Sequence, residues 1–130
     1  MTLRAMAEVA GAARRDGHGI GAFNVIQIEH AEAVVDGAER AGAPVVLQLS
    51  ENTAAYHRSL APMALACLRI AEDAAVPVVV HLDHATRREL VEEAVGLGIR
   101  SVMFDASARP HGENVGSTAD VVRWCHDRDV

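Results

Sequence analysis

The sequence predicts an α/β protein built on a parallel sheet. Four short apolar runs, each bounded by Gly or Pro, alternate with stretches of helical periodicity. Half of the 130 residues are apolar, most of them Ala, Val, Leu and Ile, and the only aromatics are Phe23, Tyr56, Phe104 and Trp124. No linker, low-complexity stretch or shift in composition divides the chain, so residues 1–130 read as a single domain. Strands that alternate with helices demand parallel pairing, because each crossover must return the chain to the same edge of the sheet.

Taken in order, Leu3 to Arg15 reads as an introductory amphipathic helix. The first strand is expected over Gly19 to Val25. After it, Ile28, Ala31, Val34, Val35, Ala38 and Ala41 recur at spacings of three and four, and Gly42 with Pro44 ends the helix. The second strand runs from Pro44 to Ser50. Ser59 can cap the next helix, with Pro62 tolerated in its first turn and Leu60, Met63, Ala66, Ile70 and Ala74 along one stripe. Pro77 to Asp83 forms the third strand. Thr86-Arg87-Arg88-Glu89 has capping-box spacing and opens a helix closed by Gly96 and Gly98. The fourth strand spans Ile99 to Asp105, and Ser117 with Asp120 opens a last helix through Val121, Trp124 and Cys125. Two architectures accommodate this order: a doubly wound open sheet, or four of the eight units of a (β/α)8 barrel, which typically needs about 250 residues.

Several function classes are excluded. The net charge is −6 and the basic residues are scattered, so the footprint of a nucleic-acid binder is missing. No apolar run approaches the roughly 20 residues of a membrane span, and a soluble cytoplasmic protein is expected. No glycine fingerprint for a dinucleotide or a P-loop nucleotide follows any strand. Cys67 and Cys125 have neither disulfide nor zinc-site spacing and read as buried, inert thiols. All 12 basic residues are Arg, so a lysine Schiff base cannot form on this chain.

Ligands of parallel α/β proteins meet the carboxyl ends of the strands. There the sequence offers Asn24, then Ser50 and Glu51, then His81-Leu82-Asp83-His84, and finally Asp105 with Ser107 beyond it. The third group drives a buried strand into two imidazoles and a carboxylate, which cost several kcal/mol to bury unless paired, hydrogen-bonded or metal-bound. Alternation places His81 and Asp83 on one face, so His84 joins them only if the strand ends or twists at that point. Asp105, at the equivalent end of the next strand, could approach a metal ion held there, hydrogen-bond His84, or serve capping or turn chemistry with Ser107. His18, His30, His57, His111 and His126 have no spaced partner and read as solvated.

Gly21-Ala22-Phe23-Asn24-Val25, Val46-Leu47-Gln48-Leu49-Ser50-Glu51, His81-Leu82-Asp83-His84 and Ser101-Val102-Met103-Phe104-Asp105, followed by Ser107, Pro110, Glu113, Asn114 and Thr118, resemble the class II fructose-bisphosphate aldolases in order and spacing. The resemblance covers nearly the whole chain. It implies a (β/α)8 TIM barrel of which about the first four βα units are present, as a half barrel preceded by an N-terminal helix. It also implies a catalytic Zn2+ or another divalent cation, and reversible aldol cleavage of a ketose bisphosphate to dihydroxyacetone phosphate and an aldehyde. Carried over by residue, His84 is a zinc ligand, and Asp83 is the acid/base for the C4 hydroxyl. Asp105 is a secondary or alternative metal ligand, and Asn24 and Ser50 contact the phosphorylated sugar, Ser50 near a phosphate. The missing lysine is coherent with this, since a Lewis-acid metal can stabilise the enediolate in place of a Schiff base.

Ala106 and Ala108 stand where the family pattern usually has Gly and His. The sequence is expected to stop, at Val130, before a Glu-bearing fifth strand, two more zinc-ligating histidines and a Gly-rich phosphate loop. A catalytic zinc takes three protein ligands, so this chain is expected to be inactive alone and to work as a homo-oligomer or when completed by a C-terminal half. The competing expectations are a non-catalytic (β/α)4 half-barrel interaction module and a metal-independent phosphosugar barrel.

Overall fold

Alternating Val and Leu positions in the two central strands give the sheet two different faces, and the computed structural model, which describes residues 2–130, shows what covers each. The elements are α1 (Met6–Asp16), β1 (Gly21–Asn24), α2 (Ile28–Ala41), β2 (Val45–Ser50), α3 (Glu51–His57), α4 (Ala61–Asp73), β3 (Val78–Ala85), α5 (Arg88–Gly96), β4 (Val102–Phe104) and α6 (His111–His126). The strands form one sheet in the order β1-β2-β3-β4, every pair parallel. The predicted α/β class and unit order are thus met.

One face carries Val45, Leu47, Leu49, Val78, Val80 and Leu82 into a core shared with Ala31, Val35 and Ala38 of α2, Met63, Ala64 and Cys67 of α4, Leu90, Val91 and Ala94 of α5, and Val121 and Cys125 of α6. The other face forms a packed apolar cluster near the strands' amino ends. There Val46 and Val79 pack with Val9, Met6 and Ile20 beneath α1. Residues 2–4 tie this start to the sheet, with the Arg4 amide donating to the Val78 carbonyl and the Val78 amide to the Thr2 carbonyl, each at 2.9 Å. Further along the same face the residues turn polar, and this polarity marks the carboxyl end as the site.

Leu47 is fully buried at the centre of β2, between Phe23 and Val80 in register. Leu47→Ala should therefore cost about 2–5 kcal/mol of unfolding free energy, from lost burial and an incompletely collapsed cavity. Chemical denaturation followed by circular dichroism checks this, and a loss below about 1 kcal/mol would mean that the site relaxes fully.

Several expectations are corrected in detail. β1 and β4 are shorter than predicted, and β3 runs two residues past Asp83 to Ala85. An unforeseen helix, α3, follows β2 directly: the Ser50 hydroxyl accepts from the Thr53 amide and the Thr53 hydroxyl from the Ser50 amide, both at 3.4 Å. Thr86 does not cap α5, because its hydroxyl and amide both turn to Glu51 instead. The last helix begins at His111, six residues before Ser117. Ser117 lies inside it and donates back to the Glu113 carbonyl at 2.7 Å, while Gly112 and Gly116 interrupt the apolar periodicity that would have announced the extra turns. Both cysteines are buried and free, and burial pushes the Cys67 thiol up to about 12, as inert thiols require.

Candidate active site

Parallel register sets the level of each polar side chain. Asn24 pairs with Gln48 and Gln48 with His81, forming one row across three strands; Ser50 pairs with Asp83 in the row above. Both rows lie on the face opposite the main core, at the strands' carboxyl ends. Gln48 was not singled out from the sequence, although its alternation with Leu47 and Leu49 places it on the same face as Ser50. Ser101 is the other addition: it is 8% exposed, and its hydroxyl lies 2.7 Å from His81 Nδ1. Within the strand expected over Ile99 to Asp105, alternation places Ser101 on the same face as Asp105, but the sequence does not show its partner.

His84 joins this face by a local irregularity. Leu82 pairs with Val102 and Ala85 with Phe104, so three steps on β3 match two on β4, and Asp83 with His84 share the level of Met103. This is a β-bulge, which bends the strand and re-aims a side chain. At its centre His84 adopts φ +47°, the left-handed region that a residue with a Cβ seldom enters. The twist required to bring His84 beside Asp83 is therefore present. The Asp105 amide donates to the Ala85 carbonyl at 2.8 Å and closes the bulge against the next strand.

The side chains then form a chain of contacts. His84 Nδ1 lies 2.7 Å from Asp105 Oδ2, and Asp105 Oδ1 accepts from the Ser107 amide at 2.9 Å. On the other ring edge, His84 Nε2 is 4.0 Å from Asp83 Oδ1, which in turn is 3.7 Å from His81 Nε2. Asp83 is mostly covered, at 17% exposure, whereas the His84 ring is open at 59%. Ser107 and then His84 hold the Asp105 carboxyl well below the usual carboxylate range. His84 is raised above its ordinary 6.5, chiefly by the bond to Asp105 and next by Asp83. His81 moves the opposite way, because burial outweighs the attraction of Asp83, and it stays neutral near pH 7.

These directions fix a pH window. The raised His84 contributes in full below about pH 6.5 and loses its contribution as pH rises through the higher folded value. The depressed Asp105 contributes above about pH 3.8 and loses its contribution only as pH falls through its much lower folded value. Asp105→Asn should bring the His84 titration back towards 6.5, followed by imidazole NMR on the metal-free chain. An unmoved titration would mean that the pair does not form in solution.

As a metal centre, the cluster fits in part. His84 Nε2 is free of other hydrogen bonds, while Nδ1 is engaged by a carboxylate, the arrangement common behind metal-bound imidazoles. Among the described residues no three His, Cys, Asp or Glu side chains converge on one ion position. The cluster thus presents one unengaged imidazole nitrogen, His84 Nε2, and no complete ligand set among the described residues. Ser50 uses its hydroxyl oxygen to cap α3 but keeps its O–H free to donate, and Asn24 is exposed at the end of β1. His57 and His30 are not merely solvated: His57 Nε2 contacts the Ile26 carbonyl, and His30 Nδ1 accepts from the Ile26 amide. They brace the loop after Asn24.

Comparison with known proteins agrees with this geometry. A profile of the class-II fructose-bisphosphate aldolases matches residues 4–130. Fructose-bisphosphate aldolases of Staphylococcus epidermidis and Giardia intestinalis are both 35% identical to this chain, over 132 and 130 aligned residues; all of this chain is covered, with 46% and 40% of the relatives. The YdjI aldolase from Escherichia coli K12 superposes with a TM-score of 0.88 at 28% identity, across 96% of this chain and 48% of its own. A solved structure from Coccidioides immitis gives a TM-score of 0.89 at 26% identity, with the same coverage of 96% and 48%. The chain spans about half the length of the curated relatives it matches, and its four βα units are a half barrel of the TIM type. From residue 4 to residue 130, the chain belongs to the class II fructose-bisphosphate aldolase family.

Proposed function

We propose that this chain supplies the N-terminal half of the active site of a zinc-dependent aldolase. The reaction is reversible cleavage of fructose 1,6-bisphosphate, or a related ketose bisphosphate, into dihydroxyacetone phosphate and an aldehyde. The observation that carries this reading is His84, turned by the bulge so that Nδ1 faces Asp105 and Nε2 stands free beside Asp83.

In this reading His84 Nε2 is one metal ligand. Asp105 keeps the ring in the tautomer that leaves Nε2 unprotonated, a role of the kind that raises ligand basicity. Zinc, when bound, would act as a Lewis acid towards the ketone carbonyl. Asp83, at the level of Ser50 and beside both imidazoles, takes the C4 hydroxyl proton in cleavage and returns it to the aldehyde oxygen in condensation. His81 stays neutral, held through Ser101, and so does not tie up the Asp83 carboxylate as a fixed ion pair. Ser50 donates its free O–H to a phosphate, and Asn24 contacts the substrate one row below.

The remaining zinc ligands come from a second half, whether in a longer chain or a partner. The relatives' greater length and the open edge at β1, whose four residues are all exposed, support this requirement. The same edge favours the alternative of a non-catalytic interaction module. Release of triose phosphate from fructose 1,6-bisphosphate separates the two, measured with added zinc and with chelator. The assay compares the 130-residue chain with the same chain continued through its reading frame. Activity that needs both zinc and the continued chain is expected. Silence from both, or activity indifferent to chelator, would overturn the zinc aldolase reading.

A further inference from the structure

α5 begins without a cap of its own: Arg87 occupies the cap position and makes no side-chain bond to the helix. The two amides that lead into the helix, those of Thr86 and Arg87, are instead taken by a carboxylate from another element. Glu51, the first residue of α3, accepts from the Thr86 amide at 3.0 Å and the Arg87 amide at 3.2 Å through Oε1. Its two oxygens also receive the Thr86 hydroxyl, at 3.1 and 3.0 Å, and the Arg87 guanidinium approaches to 3.6 Å.

Thr86 stands only two residues beyond His84. A left-handed conformation at a residue with a Cβ persists only where its surroundings determine it from both sides. On the β4 side the bulge is fixed by Asp105, through its amide to Ala85 and its carboxylate to His84. On the side leading into α5, the contacts to Glu51 are the ones that fix the chain.

We propose that Glu51 is a positioning residue, which holds the Thr86-Arg87 turn and through it keeps His84 in the bulged conformation that presents Nε2 beside Asp83. This rests on the reading that His84 and Asp83 carry the chemistry. Glu51 itself touches neither of them, and its effect passes along the backbone.

The test uses the metal-free 130-residue chain, with 15N NMR reporting the His84 tautomer and amide exchange reporting Thr86 and Arg87. In the parent above the His84 titration, Nδ1–H should dominate. Glu51→Ala should speed exchange of both amides by at least about tenfold and mix the two His84 tautomers. Glu51→Gln, which keeps an acceptor oxygen, should restore most of the parent signature. Should Glu51→Ala fail to fold, Glu51→Gln and Thr86→Val take its place: Gln should shift the His84 populations slightly, and Val should shift them further by removing the hydroxyl contact. An unchanged His84 signature in every folded variant would overturn the proposal. Where the continued chain is active, Glu51→Ala should lower kcat with KM within about twofold, and a rise in KM alone would also overturn it. The NMR readout requires neither zinc nor sugar, so an inactive continued chain would sink the aldolase reading while leaving the Glu51 latch to be judged separately.

Discussion

Asp83→Ala in the chain continued to a full barrel is expected to lower kcat by about 10²- to 10⁴-fold, the range of a positioned general acid or base, while zinc stays near one ion per chain. Asp83 sits between two imidazoles, 3.7 Å from His81 Nε2 and 4.0 Å from His84 Nε2, too far for a hydrogen bond to either. Its carboxylate is thus uncommitted, on a largely covered side chain, at the mouth of a parallel sheet. That suits a group which must both take and give a proton, since neither carboxylate oxygen is locked in a structural bond. Removing it leaves His84 bonded to Asp105 and leaves the Ala85 to Asp105 backbone bond in place, so the orientation of His84 survives. Turnover paired with metal analysis provides the check. If zinc departs along with activity, Asp83 is a ligand and the proton must be carried elsewhere.

The βα order was legible because each signal was local and redundant: helices ended by Gly42, Pro44, Pro77 and Gly98, each just before an apolar run, leave little choice of where a strand begins. Asn24, Ser50, Asp83 and Asp105 could be placed at strand carboxyl ends, and a period of two set His81 and Asp83 on one face, while the level of each followed only from the register of the folded sheet. Where sequence reasoning stopped, long-range partners decided. Thr86 and Glu89 have the spacing of a capping box, yet Glu51, 35 positions away from Thr86, takes the Thr86 amide that Glu89 would have accepted from, and the Thr86 hydroxyl and Arg87 amide besides. Ser101 shares the period-two face of Asp105, but its partner was not legible, because its hydroxyl acts through His81, 20 positions earlier. The bulge at His84 was required by geometry rather than read from composition, since no glycine marks it.

His84→Ala should have the opposite signature to Asp83→Ala, with zinc lost and activity lost with it. If His84 Nε2 is a direct ligand, the variant forfeits a bond to the metal, and affinity should fall by more than the 10- to 100-fold typical of losing an outer hydrogen-bonding partner. Asp105→Asn is the internal comparison. If Asp105 acts by holding His84 Nδ1, that variant should lose zinc affinity by only about 10- to 100-fold and recover occupancy at higher zinc. Equal and complete loss in both variants would make Asp105 a ligand in its own right. Unfolding is separated from metal loss by the exposure of His84: its side chain is 59% exposed, though Asp105 is 20%, and an ion pair with one partner so open to solvent contributes little to stability. The metal-free Tm of His84→Ala should accordingly stay within a few degrees of the parent. Stoichiometric zinc retained by a folded His84→Ala would remove His84 from the metal site, and with it the reason for a strained histidine at the bulge.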